Sequence, residues 1–276
     1  PNEWRAESAL FLAAVGAFQG WGGFAIHTYR YDTDEATDQI GRPITSDAIG
    51  GVRYRGGVFD TFNDPAKYGL FYHAALITRR RDVAPARETL GIRLGGGWDG
   101  VGPAFRGAPE QHGVVSLLPG REPPAGIREV SNQAVLLDEA AGEVRSDTGE
   151  LYRSWSRRFG WINTPRTRAV YGFIGAHGEI RLGGLSVAAE TDFATIALSS
   201  LTDAPLEESD SFLLTAVGRA DNTGARYNAD HTEQLDRGRG PILVEAVRAV
   251  LTLRTAQRAL RAWSVNPRGF YIGNPP

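Results

Sequence analysis

The stretch GWGGFAIHTYRY, residues 20–31, decides how the rest of the chain is read. From Gly22 to Ile26 it has almost no polar face, and His27 opens a run of aromatic and polar side chains. Such a run predicts a short strand covered on both sides, the pattern of a parallel strand between layers of helix. Side chains alternate along a strand, so His27 and Tyr29 share a face.

Upstream, EWRAESALFLAAVGAFQ (residues 3–19) places Trp4, Leu10, Phe11, Ala14, Val15 and Phe18 at three- and four-residue spacings. That spacing predicts a helix with one apolar face. Asn2 is a candidate cap, Glu3 falls in the first turn where free N–H groups favour an anion, and Gly20 ends the helix. Downstream, residues 31–58 read as a long polar loop. A second helix begins at DTFNDP, residues 60–65, with Asp64 as cap and Pro65 in the first turn. Leu70, Phe71, Ala74, Ala75 and Ile77 carry its apolar face to about residue 81, where Arg79, Arg80 and Arg81 suit the carbonyl end.

Residues 1–84 therefore read as helix, strand, loop, helix: an α/β unit whose single strand leaves sheet edges bare. The missing strands are expected from sequence before Pro1 or from another chain. Residues 85–143 are turn-rich, with brief apolar runs such as VVSLL and AVLL, and read as an irregular joining region. Residues 144–276 change period. Runs such as ELYRSWS, RTRAVYGFIG, FATIALSSL and SFLLTAVGRA, separated by turns such as DTGE and ADNTG, predict an antiparallel β-sandwich. VEAVRAVLTL fits a helix as well, but its β-branched residues and neighbouring strands favour a strand. The expected fold class is thus α/β plus all-β.

With 42 % apolar and 22 % charged residues, the chain belongs to the soluble globular class. Its 30 basic and 32 acidic side chains are interleaved, so neither nucleic acid nor membrane is an expected partner. The absence of cysteine excludes disulfides, thiol catalysis, iron–sulfur clusters and cysteine zinc sites, and it leaves the compartment open, secretion and the periplasm included. Methionine is absent even at position 1, so a processed product or one part of a longer chain is expected.

At the predicted strand end, His27, Tyr29, Tyr31 and Trp21 could line a sugar pocket, since aromatic faces pack on pyranose C–H groups and imidazole can bond a hydroxyl. The plainer reading makes His27 a structural histidine and the tyrosines wall packing. Asp60 either bonds a substrate hydroxyl or pins the loop. Asp32, Asp34, Glu35, Asp38 and Asp47 form a solvated acidic loop that lacks the spacing of a calcium hand. No metal and no cofactor is expected.

Glu3 and Glu7 stand one helical turn apart, a weak form of the carboxylate pair that glycoside hydrolysis needs, with Arg5 as an ordinary partner for either. Asp221 and His231 accompany Ser199 or Ser209 without a nucleophile elbow. LGGGWDG, residues 94–100, matches no phosphate-binding loop, and its Trp98 reads as a plug at the domain junction.

PNEWRAE, then QGWGGFAIHTY, then FDTFNDPAKYGLFYHAALITRRRDVAPA together resemble the last part of the catalytic barrel in bacterial clan-A glycoside hydrolases, the cellulase-like and β-galactosidase-like superfamily. INTPRTRAVYGFIG, FATIALSSLTDAPLEESDSFLLTAVGRADNTG and PILVEAVRAVLTLR resemble a β-sandwich that follows the barrel in some of them. The resemblance implies that residues 1–84 hold the last strand and helices of a (β/α)8 barrel, with His27 and Tyr29 facing the substrate cleft. It implies a retaining mechanism on a poly- or oligosaccharide, with both catalytic glutamates before Pro1. No catalytic residue is then assignable here, and the upstream part or a companion chain becomes an expected partner. A noncatalytic carbohydrate-binding or structural module is the alternative.

Overall fold

The computed structural model describes residues 3–26, 61, 64–94, 102–266 and 270–272. A 3-10 turn, Arg5–Glu7, leads into helix α1, Ser8–Phe18. The helix buries Leu10, Ala14 and Phe18 of the predicted face together with Ala9 and Ala13, while Phe11 and Val15 are partly buried. It starts later than expected, and Glu7 stands at its N-cap without a side-chain cap bond.

Residues 21–26 form no strand, which corrects the reading of this stretch as far as it is described. A strand exists only through a paired neighbour, and none of the described residues pairs with it. Trp21 is half-exposed and Ala25 exposed.

The second helix opens as predicted. Asp64 Oδ1 accepts from the amides of Ala66 at 3.1 Å and Lys67 at 3.3 Å, and Pro65 occupies the first turn. The expected single helix is broken in two, α2 (Pro65–Tyr68) and α3 (Phe71–Arg80). The break falls at Gly69, where a Cβ would lie 2.7 Å from Pro65 O and 3.0 Å from a Val217 methyl. Arg81 then takes a left-handed conformation that stops α3.

The joining region holds more order than its sequence suggests. β1 (Thr89–Arg93) pairs in parallel with β2 (Gly113–Leu117) on one side and with β3 (Arg128–Ser131) on the other. Between β1 and β2 the chain passes through a short helix, α4 (Ala108–Gln111). Gly91, mid-strand in β1, is required by close packing: a Cβ there would meet Leu117 at 2.6 Å and Ile127 at 2.9 Å. Gln19, just past α1, ties this sheet to the helices. Its amide nitrogen donates to Pro109 O and His112 O, and its oxygen accepts from Val114 N.

The C-terminal half is antiparallel, as expected. The main sheet comprises β4 (Glu143–Arg145), β5 (Leu151–Ser154), β6 (Phe159–Asn163), β7 (Thr167–Gly172), β10 (Ala194–Ser200) and β11 (Phe212–Val217), in the order β11-β10-β7-β6-β5-β4. A smaller sheet has the order β16-β9-β8, built from β8 (Glu179–Leu182), β9 (Leu185–Ala189) and β16 (Ala249–Leu253). VEAVRAVLTL is thus a strand over its second half. Four short strands, β12 (Ala220–Thr223), β13 (Arg226–Tyr227), β14 (Gln234–Asp236) and β15 (Arg239–Val244), form two hairpin pairs beside the main sheet. Ser264–Val265 (β17) and Tyr271–Ile272 (β18) form a third.

The main sheet is buried on both faces. Leu151, Ile162, Ala169, Tyr171 and Ala197 meet Leu10, Phe18, Leu70, Ala74 and Ile77 of the helical segments. Their neighbours Tyr152, Val170, Ile196 and Leu198 face the other way, against Leu182, Leu185, Val187 and Leu251 of the smaller sheet. Each large apolar side chain buried this way contributes about 1.5–3 kcal/mol. The apolar faces of the two predicted helices are therefore covered by strands from later in the same chain. Trp4 seals one end, its ring 4.7 Å from that of Phe173 and 4.9 Å from that of Phe193.

Candidate functional site

Of the five residues predicted to contact a sugar, Trp21 is described; His27, Tyr29, Tyr31 and Asp60 lie outside the described residues, as do the acidic loop and Trp98. The Trp21 amide donates to Gly16 O at 2.8 Å, just beyond the end of α1. Its indole rests on Gly16, where a Cβ would lie 3.0 Å from the ring. One part of the ring is thereby seated on the helix, and the side chain remains 51 % exposed. This gives an aromatic surface held in a fixed place.

A polar cluster gathers where the first turn of the chain meets the β12–β15 hairpins. Arg5, 8 % exposed, directs Nε to Asp64 Oδ2 at 2.6 Å and Nη2 to Ala220 O at 2.6 Å. Asp64 thus caps α2 through one oxygen and pairs Arg5 through the other. The His231 imidazole comes within 2.9 Å of Glu3 Oε1, and its ring stacks on that of Tyr227 at 5.4 Å. The Tyr227 hydroxyl donates to Asp221 Oδ2 at 2.5 Å. Burial, then that bond to a carboxylate, pushes the Tyr227 phenol well above its ordinary range, so it acts as a donor and stays neutral.

This cluster brings Asp221 and His231 together, two residues the sequence reading had set beside serine. The serines go elsewhere. Ser199 is buried against His73 and Thr167, and Ser209 bonds Ser200 and Thr202. Glu3 and Glu7 likewise separate in environment. Glu3 meets His231, whereas burial raises Glu7 above the usual carboxylate range, with Arg153 partly opposing the shift. In the Glu3–His231 contact the carboxylate is largely buried and the imidazole, in the β13–β14 turn, is half-exposed.

The most deeply buried polar network was not anticipated. His73, on α3, is fully buried; Nδ1 lies 2.8 Å from Ser199 Oγ and Nε2 2.9 Å from Thr215 Oγ1. Ser199 continues to Thr167, and Thr167 Oγ1 donates to Asp82 Oδ2 at 2.8 Å. Asp82 is bracketed by Arg80 at 2.7 Å and Arg166 at 3.1 Å. Burial lowers the His73 pKa to about 4, so the ring is neutral at ordinary pH and offers one donor and one acceptor. The network fastens α3 to β7, β10 and β11. Nothing in "FYHAAL" distinguishes such a histidine from an exposed one; its only sequence signal is a place on the apolar side of the helix.

A cavity of about 10 Å³, enough for one water, lies under α1 between Phe11, Val15, Leu151 and Tyr171. Its polar wall is the two-pronged Arg153–Glu110 pair, at 2.5 and 2.7 Å. No group of three or more metal-ligating side chains occurs among the described residues. The chain matches no protein-family model, no curated protein and no solved structure.

Proposed function

We propose that this chain is the C-terminal portion of a retaining glycoside hydrolase, with its catalytic carboxylates on preceding sequence and the β-layers serving as a brace for the last helices of the catalytic domain. The observation that carries this reading is the tie between the two segments of the resemblance. PNEWRAE and FNDPAKYGLFYHAAL meet through the buried Arg5–Asp64 pair, α1 packs on α3, His73 fastens α3 to the main sheet, and Arg5 reaches Ala220 O of β12. Such a unit can hold a wall in place, with the acid and the nucleophile expected from preceding sequence. Trp21, seated on Gly16 and open to solvent, is its candidate sugar contact.

In this reading the reaction follows the usual two-carboxylate course, one attacking the anomeric carbon and the other protonating the leaving oxygen. The chain contributes position: a fixed aromatic face on which a pyranose ring can lie. The test joins the chain to its upstream sequence and assays aryl glycosides. The isolated chain is expected to be inert and the joined protein active, with Trp21→Ala raising KM and sparing kcat. Turnover that survives alanine at both upstream glutamates would exclude the mechanism.

One observation favours the carbohydrate-binding alternative. Trp263 and Tyr271, at the β17–β18 hairpin, are exposed with ring centres 5.4 Å apart. Calorimetry of the isolated chain against an oligosaccharide panel separates the readings, because only the module binds sugar without an upstream partner.

A further inference from the structure

The outer strands of these sheets are guarded very unequally. β4 is three residues long with a charge at each end, β3 carries Arg128 and Glu129, and β8 carries Glu179 and Arg181. Short length and charge are the ordinary devices that keep a sheet edge from pairing with another chain. β11 has neither. Its sequence is FLLTAV, without charge or proline, and it pairs with β10 in unbroken register from Phe212 to Val217. Among the described residues no strand pairs with its outer side. Leu214 is 50 % exposed, and Ala216 on the same face is exposed too.

β2 (GVVSL) and β16 are the other uncharged edges of the three larger sheets; the Val114 amide of β2 is already bonded to Gln19, and the flanks of β16 distinguish it from β11. Arg248 and Arg254 bracket β16, so antiparallel pairing with its own copy would bring like charges together. β11 is bracketed by Asp210 and Arg219, acid at its start and base at its end. Antiparallel self-pairing then brings the acid of each copy toward the base of the other. With the twofold axis at Leu214, Leu214 faces its own counterpart and Phe212 faces Ala216 of the second copy. Asp210 faces Gly218, one residue from Arg219. Arg219 is bound to Glu245 at 2.8 and 2.9 Å, but its side chain is 44 % exposed and a guanidinium has donors to spare.

We propose that β11 is a homodimerisation edge: a second copy of this chain adds its own β11 antiparallel, so that two main sheets become one continuous sheet across an isologous interface. The pairing satisfies the outward backbone N–H and C=O groups of β11 and covers Leu214. It does not depend on the glycosidase reading.

The test is sedimentation equilibrium of the 276-residue chain, joined with cysteine cross-linking. The wild type is expected to weigh twice the monomer mass, and Leu214→Lys to return it to monomer with an unchanged circular dichroism spectrum. Because the chain has no cysteine, Leu214→Cys provides a clean second measurement. Opposed residues across a twofold strand pair fall within disulfide reach, so mild oxidation should cross-link it. Val250→Cys on β16, more open to solvent than Leu214, should stay uncross-linked. A monomeric wild type at the highest soluble concentration overturns the proposal. So does a dimer that cross-links through Val250 and not Leu214.

Discussion

His73 shows most directly how one side chain can set the acid limit of this fold. Its folded-state pKa of about 4 lies below the usual 6.5. The unfolded chain therefore binds a proton that the folded chain refuses between those values. Stability must fall as pH drops through that window and level off beneath it. The full loss is about 3 kcal/mol. Denaturant midpoints measured from pH 7 to pH 4 should show it, and His73→Asn, which cannot titrate, should flatten the profile. An unchanged slope in that variant would mean that the acid sensitivity resides in other groups. His73 was invisible in the sequence because its environment is made by Ser199 and Thr215, more than a hundred positions away.

Among the elements, the Asp64–Pro65 start of α2 was legible and its second duty was not. A small acceptor before a proline is a local signal, and the two amide bonds to Asp64 follow from it. The Arg5 pair depends on a contact between distant segments. Removing both duties with Asp64→Ala should cost about 3–5 kcal/mol, because the buried Arg5 loses the Asp64 carboxylate along with the cap. Asp64→Asn keeps the cap and should cost clearly less. Urea unfolding of the two variants measures the difference, and equal losses would assign the whole effect to the lost counter-charge of Arg5 and none of it to the cap. The parallel strands β1–β3 escaped the sequence reading for a related reason. Each has four or five residues, too few for a period to show, and their pairing lies between segments separated by turns rich in glycine and proline.

At the scale of the molecule, one apolar cluster includes Leu10 and Phe18 of α1, Ile77 of α3, and Ile162, Ala169 and Ala197 of the main sheet. Helices and sheet should consequently unfold together. Leu10→Ala is expected to remove about 2–5 kcal/mol and to shift the helical circular dichroism and the tryptophan fluorescence to the same new midpoint. Two separated transitions would show that residues 3–84 form a body distinct from the sheet.

The sequence by itself determined where the two long helical segments lie, that the C-terminal half is extended, where α2 is capped, and that no cysteine chemistry operates, because these follow from spacing and composition within a few residues. Tertiary structure alone decided what covers each apolar face. The helices, read as flanking a strand at residues 22–29, lie on a sheet formed from residues 143–217, and Arg5, His73 and Asp82 acquired their partners in that packing. The physical reason is that periodicity reveals that a face must leave water, while the choice of covering surface rests on non-local contacts whose shape and charge are settled only when the layers meet.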